Sequence, residues 1–504
     1  MRIFRLCFTL CFVLFAGLPV LSSAQPKTIT ILHTNDIHAG YLAHEATWIQ
    51  TTPKPLVGGF KELAWTIDSV RKAVHPTILL DAGDIMTGTP ISDYVYQNVS
   101  GGALIAMMNA IGYDAWTFGN HDLDISQENL RALISLARFP TTNANVVDSS
   151  GALARVVVPA LTIEREGMKI GVIGAMSRDL FRLTNTNNLH GLLVRPPASA
   201  LQPIIDSLLP KTDLIIALTH EGVEDDSLLA LGTHGLNVII GGHSHTRLRK
   251  PIVVNGVEIC QAGANCENLG EITLTVDHHT LLSVNGGLLQ LWAHHQNEET
   301  PVAKIVDEVQ HALEKDFQEV IGTLTVDWKR GGRGESNIGD FVADAIREEG
   351  HADVAVTNSS GIRKDMNAGP IHKNDIFEIM PFRNILCTFT ISGRQLRTLA
   401  QRHAADLAEG RAAIQFSGLK ATWKRDGGSA VLVSLTVGGK DVADDRQYVF
   451  ATSDFVVNQG DKYLGFTPAG VVSTSSTVYA ALIAKVQRDK TISSQVENRF
   501  EETH

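Results

Sequence analysis

An α/β fold in at least two domains is what this sequence predicts, and three observations carry the prediction. The chain has 504 residues, more than one hydrophobic core usually organises. Its first half alternates continuous Val/Ile/Leu runs with amphipathic helical patterns, as expected of strands buried on both faces with helices packed over them. Near residue 300 that alternation gives way to one long helical pattern, then to a differently ordered mixture of helices and strands. The composition, 44% hydrophobic and 19% charged, is that of a globular chain without low-complexity tracts.

The chain opens MRIFRLCFTLCFVLFAGLPVLSSAQP. Arg2 and Arg5 precede an apolar run that ends in the small residues Ser22-Ser23-Ala24, so residues 1–24 read as a secretory signal peptide. The run is shorter than the ~20 residues a spanning helix needs, and no cysteine stands at the cleavage point to take a lipid. No later segment is apolar for long enough to span a bilayer. The mature chain is therefore expected to be periplasmic or secreted. The full chain's net charge is −11, and losing Arg2 and Arg5 makes the mature chain more negative. That balance gives no reason to expect nucleic-acid binding, and an anionic substrate would need a locally positive site. Cys260, Cys266 and Cys387 remain after cleavage. They form neither a disulfide framework nor a zinc thiolate site. A Cys260–Cys266 bridge is open to them, with buried free thiols the favoured alternative.

Residues 26–299 form the expected first domain. Strand-like runs stand at 28–34 (TITILHT), 77–84, 115–120, 169–175, 213–220 and 237–243, with helices at 58–73 and 126–138. Thr300 as N-cap and Pro301 as first helical residue open a linker helix over 300–321, in which Val302, Ile305, Val306, Val309, Leu313 and Phe317 recur at helical spacing. The second domain, 322–504, carries the helical stretch NIGDFVADAIREE and the strand AVLVSLTV (430–437).

Five of the strand-like runs deliver Asp, Asn or His at or just past their carboxyl ends: Asp36 and His38, Asp84, Asn120 with His121, His220, and His243 with His245. Ligands of an open α/β sheet gather at that end. Oxygen and imidazole donors without thiolate suit zinc, manganese or a related ion, and there are enough for two. Asp84, between Gly83 and Gly88, has the room to bridge a pair. Any one of these residues alone would be ordinary; His33, His44, His75, His190 and His234 are read as such. The specific signal is the series DxH, GD, GNHD, H and GHxH taken together. In Gly-Asn-His-Asp-Leu-Asp (119–124), Asn120 offers a carbonyl oxygen to a metal. His121 faces the reacting group without being a ligand, and Asp124 is placed to orient it and raise its pKa. No role is assigned to Asp122.

The motifs HTNDIH, DAGDIMTGTP, GNHDLD, THEG and GGHSHT resemble, in order, those of the calcineurin-like metallophosphoesterases, and more closely the secreted 5′-nucleotidase family with its UDP-sugar hydrolase and 2′,3′-cyclic phosphodiesterase relatives. The likeness covers nearly all of the mature chain. It implies an N-terminal α/β/β/α sandwich followed by a second α/β substrate-binding domain. It also implies one metal held by Asp36, His38, Asp84 and His245, a second held by Asp84, Asn120, His220 and His243, and a catalytic dyad of His121 and Asp124. His245 stands where many nucleotidases carry an amide, which implies an altered metal preference, and GNHDLD replaces the commoner GNHEFD.

In the second domain, TNSSGIR (357–363), MPFRN (380–384) and SDFVVNQGDKY (453–463) resemble the family's substrate loops. The resemblance makes Asn358 and Arg363 substrate contacts, Phe382 and Phe455 the pair that stacks on a nucleobase, Asp461 the ribose acceptor and Asn384 the base-edge contact. Arg333 is the choice for a further phosphate arginine. Core packing is the ordinary fate of any one Phe; two in turn-like settings beside polar residues favour stacking. Arg383, Gln459 and Lys462 replace glycines and reshape the pocket. The reading reached is a two-metal phosphohydrolase of nucleotides, with nucleoside 5′-monophosphates first and the cyclic or UDP-sugar substrates second. A nucleotide-binding protein with a decayed site is the rival from another class, and the full ligand set argues against decay. The family also implies rotation of the second domain about the 301–320 region.

Overall fold

The computed structural model describes residues 26–503, apart from Thr47, His278, Arg333 and Arg383 and the side chains of Lys315, Asp316 and Ser475. The proposed signal peptide and Arg333 therefore lie outside the described residues. No helix among the described residues is long and apolar enough to cross a membrane.

Two sheets stacked face to face build the N-terminal part. In the seven-stranded sheet, Lys27–Thr34 runs parallel to Thr77–Asp81, and that strand to Ala115–Trp116; the hairpin Asn268–Asp277 and Thr280–Gln290 closes the edge beyond Lys27–Thr34. In the six-stranded sheet, Met168–Met176, Leu214–His220, Val238–Ile240 and Val257–Cys260 are parallel neighbours. Side chains alternate across each pleat. Ile29, Ile31, Ile78 and Leu80 meet Ile170, Val172, Ile216, Leu218, Val238 and Ile240 between the sheets. Leu32 and Leu79 turn outward toward helices Phe60–Ala73, Gly102–Ile111 and Gln127–Leu136. Ile173, Ala217 and Ile239 turn outward beneath helices Pro197–Leu208 and Val223–Gly232. This is the expected α/β/β/α order.

Helix Pro301–Phe317 begins as its sequence requires, with Thr300 Oγ1 accepting the N–H of Ala303 at 3.0 Å and Pro301 in the first turn. Its Val302, Val306 and Val309 are buried in the N-terminal core, against helices Phe60–Ala73 and Gly102–Ile111. Most of the helix is packed on the first body, and its end reaches the second, where Phe317 meets Phe377 with ring centroids 6.0 Å apart.

The C-terminal part centres on a five-stranded sheet of Ile414–Ser417, Val354–Asn358, Gln447–Ser453, Ile385–Ser392 and Val472–Thr477. Helix Asn337–Glu349 covers one face and helix Gly393–Ala408 the other. Three- and four-stranded sheets flank it. Cys260, Cys266 and Cys387 are buried free thiols, so the Cys260–Cys266 bridge is absent.

Candidate metal centre and active site

The parallel strands of the N-terminal sheets end on one rim, where the chain turns sharply. Asp36, His38, Asp84, His243 and His245 all have positive φ, between 47° and 77°. Such backbone is costly for residues with a Cβ and concentrates where a site needs side chains re-aimed. Close approach also needs glycine. A Cβ on Gly88 would overlap the His38 carbonyl, and one on Gly83, at φ +90°, would press on the Gly119 backbone nitrogen at 2.5 Å.

Seven predicted ligands meet there in two sets. One donor atom from each of Asp36, His38 and His245 lies within 4.8 Å of the others, as does one from each of Asp84, His220 and His243. Asp84 Oδ2 is 3.1 Å from His220 Nε2 and 3.9 Å from His38 Nε2, so it stands between the sets as a bridge must. Asn120 Oδ1 lies 3.1 Å from His243 Nδ1 and completes the second set. Backbone carbonyls fix the rings from behind. His220 Nδ1 donates to Ala82 O at 2.7 Å and His38 Nδ1 to Thr87 O at 2.9 Å, leaving each Nε2 for the centre.

The arrangement fits a pair of divalent cations. His220 Nε2 is buried without an aligned hydrogen-bond partner, and the Nε2 atoms of His38 and His245 point at each other across 2.9 Å. Lone pairs so placed need a cation or a proton between them. Burial opposes ionisation of Asp36 and Asp84, yet the neighbouring histidines hold both below the ordinary carboxylate value. Burial pushes His38 to about 3 and His243 to about 4, which keeps both neutral and able to coordinate. His220 is drawn up to about 10, the buried carboxylates outweighing desolvation, which marks the pocket's demand for positive charge.

Beside the centre, His121 Nδ1 bonds Asp124 Oδ2 at 2.7 Å, and its ring is 5.4 Å from that of His38. Burial lowers its pKa, but the charges of Asp124 and Asp84 prevail and the net shift is upward. Asp124 is itself fixed by two hydroxyls, Thr87 Oγ1 at 2.8 Å and Thr184 Oγ1 at 2.6 Å. Asp122, left without a role by the sequence, accepts the backbone N–H groups of Asp84, Ile85, Met86 and Gly119 at 2.7–3.1 Å. It ties the bridging-ligand loop to the Asn120 loop. The three donors from the Asp84 loop come from residues some 36–38 positions away, so only folding reveals them.

Comparison with known proteins finds two family models along the chain. The calcineurin-like phosphoesterase model matches residues 29–247, and the 5′-nucleotidase C-terminal domain model matches 320–467. The chain belongs to the phosphoesterases built from these two domains. The 5′-nucleotidase of Vibrio cholerae is 28% identical over 507 residues, covering 88% of each chain. The trifunctional nucleotide phosphoesterase protein YfkN of Bacillus subtilis is also 28% identical over 88% of this chain, which spans 32% of that protein's length. The crystal structure of a 5′-nucleotidase precursor from Thermus thermophilus superposes with a TM-score of 0.82 at 26% identity, over 95% of this chain and all of that one.

The nucleotidase domain brings two of its predicted residues to the phosphoesterase centre. The Phe382 ring lies 5.4 Å from the His121 ring, and the Arg363 guanidinium lies 5.8 Å from the centre of the Phe382 ring. Burial lowers the Arg363 pKa against the pull of Asp84, Asp36 and Asp124. Arg363, His38 and His245 line one cavity of about 1420 Å³ between the domains. The other predicted contacts have partners within the second domain. Asn358 is buried and gives its amide to Ser360 Oγ at 2.9 Å. Phe455 is half-buried with its ring 6.1 Å from that of Tyr463, Asp461 accepts from Thr467 Oγ1 at 3.1 Å, and the backbone carbonyl of half-buried Asn384 accepts the Val478 N–H at 2.9 Å.

Proposed function

We propose that this chain is an extracytoplasmic phosphohydrolase that uses two divalent cations, zinc, manganese or a similar ion, to release phosphate from nucleotides, nucleoside 5′-monophosphates first. The observation that carries the reading is the convergence of seven donors from five loops into two adjacent sets, with Asp84 Oδ2 3.9 Å from His38 Nε2 and the His121–Asp124 pair beside them. Relatives named 5′-nucleotidase support the choice of substrate. Asp36, His38, Asp84 and His245 would hold one cation, and Asp84, Asn120, His220 and His243 the other. When bound, such a pair acidifies a water and polarises phosphoryl oxygens.

The chain's own groups supply the rest. Asp124 occupies His121 Nδ1 and favours the charged ring, so that Nε2 can give its proton to the departing nucleoside oxygen. Arg363 forks onto phosphate oxygens, with Arg333 and Asn358 as the further contacts. Phe382 and Phe455 take the two faces of the base, Asp461 the ribose and Asn384 the base edge. The domain division proposed is 26–299 for catalysis and 322–504 for substrate choice. Because the helix beginning at Pro301 packs on the first body, the hinge belongs at its C-terminal end. Residues 1–24 are proposed to direct export.

Product formation from AMP, UDP-glucose and 2′,3′-cyclic AMP, measured side by side with Mn²⁺, tests the reading. Fastest turnover of AMP supports it. Faster turnover of either other substrate selects that activity instead. No turnover, with less than one metal bound per chain, selects the nucleotide-binding alternative.

A further inference from the structure

One segment touches the metal centre, the dyad and the second domain at once. It runs from Leu180 to Leu189, both buried in the N-terminal core, and crosses the loop that carries His121. Leu183 O accepts Asn120 Nδ2 at 3.3 Å. Thr184 Oγ1 donates to Asp124 Oδ1 at 2.6 Å. Asn185 Nδ2 donates to Asp454 Oδ2, in the nucleotidase domain, at 3.0 Å. Asn188 Nδ2 closes the strap on the carbonyls of Leu123 and Asp124 at 3.0 and 2.8 Å.

Asp454, at the far end, is held as firmly as Asp124 at the near one. It is buried, and its Oδ1 accepts the N–H of Ile385 at 3.1 Å and of Phe455 at 2.9 Å. One carboxylate thus pins the exit of the loop bearing Phe382 and Asn384 and the start of the helix bearing Phe455. Asn185 is pre-set for it, since its Oδ1 accepts Asn187 N–H at 3.0 Å. At the near end, Asp124 has Oδ1 held by Thr184 and Oδ2 shared by Thr87 and His121. A shift of the strap would turn that carboxylate relative to His121.

We propose that this strap couples the seating of the nucleotidase domain to the dyad, with Thr184 and Asn185 as positioning residues. The inference rests on the nucleotidase reading. A nucleotide seated between Phe382 and Phe455 holds Asp454 against Asn185, and through the adjacent Thr184 locks Asp124 in its working orientation. A small aryl phosphate has no nucleoside to seat and gains little from the link.

Steady-state kinetics of the full chain with AMP and with p-nitrophenyl phosphate test this. Asn185→Ala is expected to lower kcat on AMP about tenfold, the loss of one hydrogen bond's worth of alignment. Its loss on the aryl phosphate should be under about threefold. Thr184→Val is expected to lower kcat on both about tenfold with KM little moved, and Thr184→Ser to restore it. The double variant should match Thr184→Val alone on AMP, because Asn185 acts through Thr184. Losses that multiply in the double variant, or an Asn185→Ala loss equal on both substrates, overturn the coupling. Should Asn185→Ala fail to fold, Asn185→Asp sets like charge against Asp454 and should depress AMP turnover selectively; a wild-type substrate ratio overturns the coupling. Wild-type protein inactive on AMP overturns the nucleotidase reading and the coupling with it.

Discussion

His121 and Asp122 are neighbours with opposite assignments, and the difference lies in what each side chain meets. The His121 ring reaches Asp124 and faces the metal ligands without being one of them, so its loss removes a proton donor and leaves the donor sets intact. His121→Ala is expected to retain bound metal while turnover of AMP falls ~10²–10⁴-fold, the usual contribution of a general acid. Metal analysis beside kinetics checks it, and native turnover would dismiss the dyad. Asp122 meets only backbone N–H groups, four of them. An amide there turns one acceptor into a donor facing donors. Asp122→Asn is therefore expected to cost about 10–100-fold in metal affinity, read by metal titration of the apo protein; unchanged affinity would make the tie irrelevant to the centre. The convergence of the predicted ligands was legible because strand ends in sequence are strand ends in space. Asp122, Thr87 and Thr184 were not, because their roles depend on groups that only folding brings near. Arg363 and Phe382 were legible through resemblance, whereas the burial of Asn358 depends on packing that sequence does not state.

At the scale of elements, continuous apolar runs identified the central strands, since strands covered on both faces need no polar alternation. The run at 115–120 gave a strand of only Ala115–Trp116, because the following residues leave the ladder to carry Asn120 to the rim. The helix at 301–317 was legible as a helix but not in its allegiance. Its apolar stripe specifies burial without naming the partner. Val306→Ala is expected to destabilise the N-terminal part by ~1–3 kcal/mol, as large-to-small core changes do, and to leave the C-terminal unfolding transition in place. Denaturation followed by hydrogen exchange separates the two, and a loss confined to the C-terminal part would mean that the helix draws its stability from there instead. Helix Gly393–Ala408 carries a different liability. Its His403 is buried between Phe416 and Phe500, with ring centroids at 4.8 and 4.6 Å, and burial lowers its pKa to about 3. The unfolded chain takes a proton near pH 6.5 while the folded chain refuses it. Stability is thus full above about pH 6.5 and is lost as pH falls toward 3, at up to ~1.4 kcal/mol per unit. His403→Leu should shrink the loss between about pH 6.5 and 5 by about 2 kcal/mol, measured by denaturant unfolding at both pH values; an unchanged loss would mean that other groups carry the acid sensitivity.

At the scale of the whole molecule, each domain holds half of the proposed reaction. The phosphoesterase domain carries the proposed metal donors, and the nucleotidase domain carries Arg363 and the two rings proposed to stack on the base. In the described arrangement Phe382 already touches the dyad, while Phe455 rests against Tyr463. A base slot needs both rings turned to one gap, and Asp454 ties the exit of the Phe382 loop to the start of the Phe455 helix. Stacking is worth ~1–3 kcal/mol per base by truncation. Phe455→Ala should therefore raise KM for AMP about tenfold or more, while KM for p-nitrophenyl phosphate, which has no base to stack, moves less than about twofold. Steady-state kinetics on both substrates with the same metal-loaded preparation decide it. Equal losses would mean that Phe455 supports the fold of its loop and that base recognition lies elsewhere in the 1420 Å³ cavity between the domains.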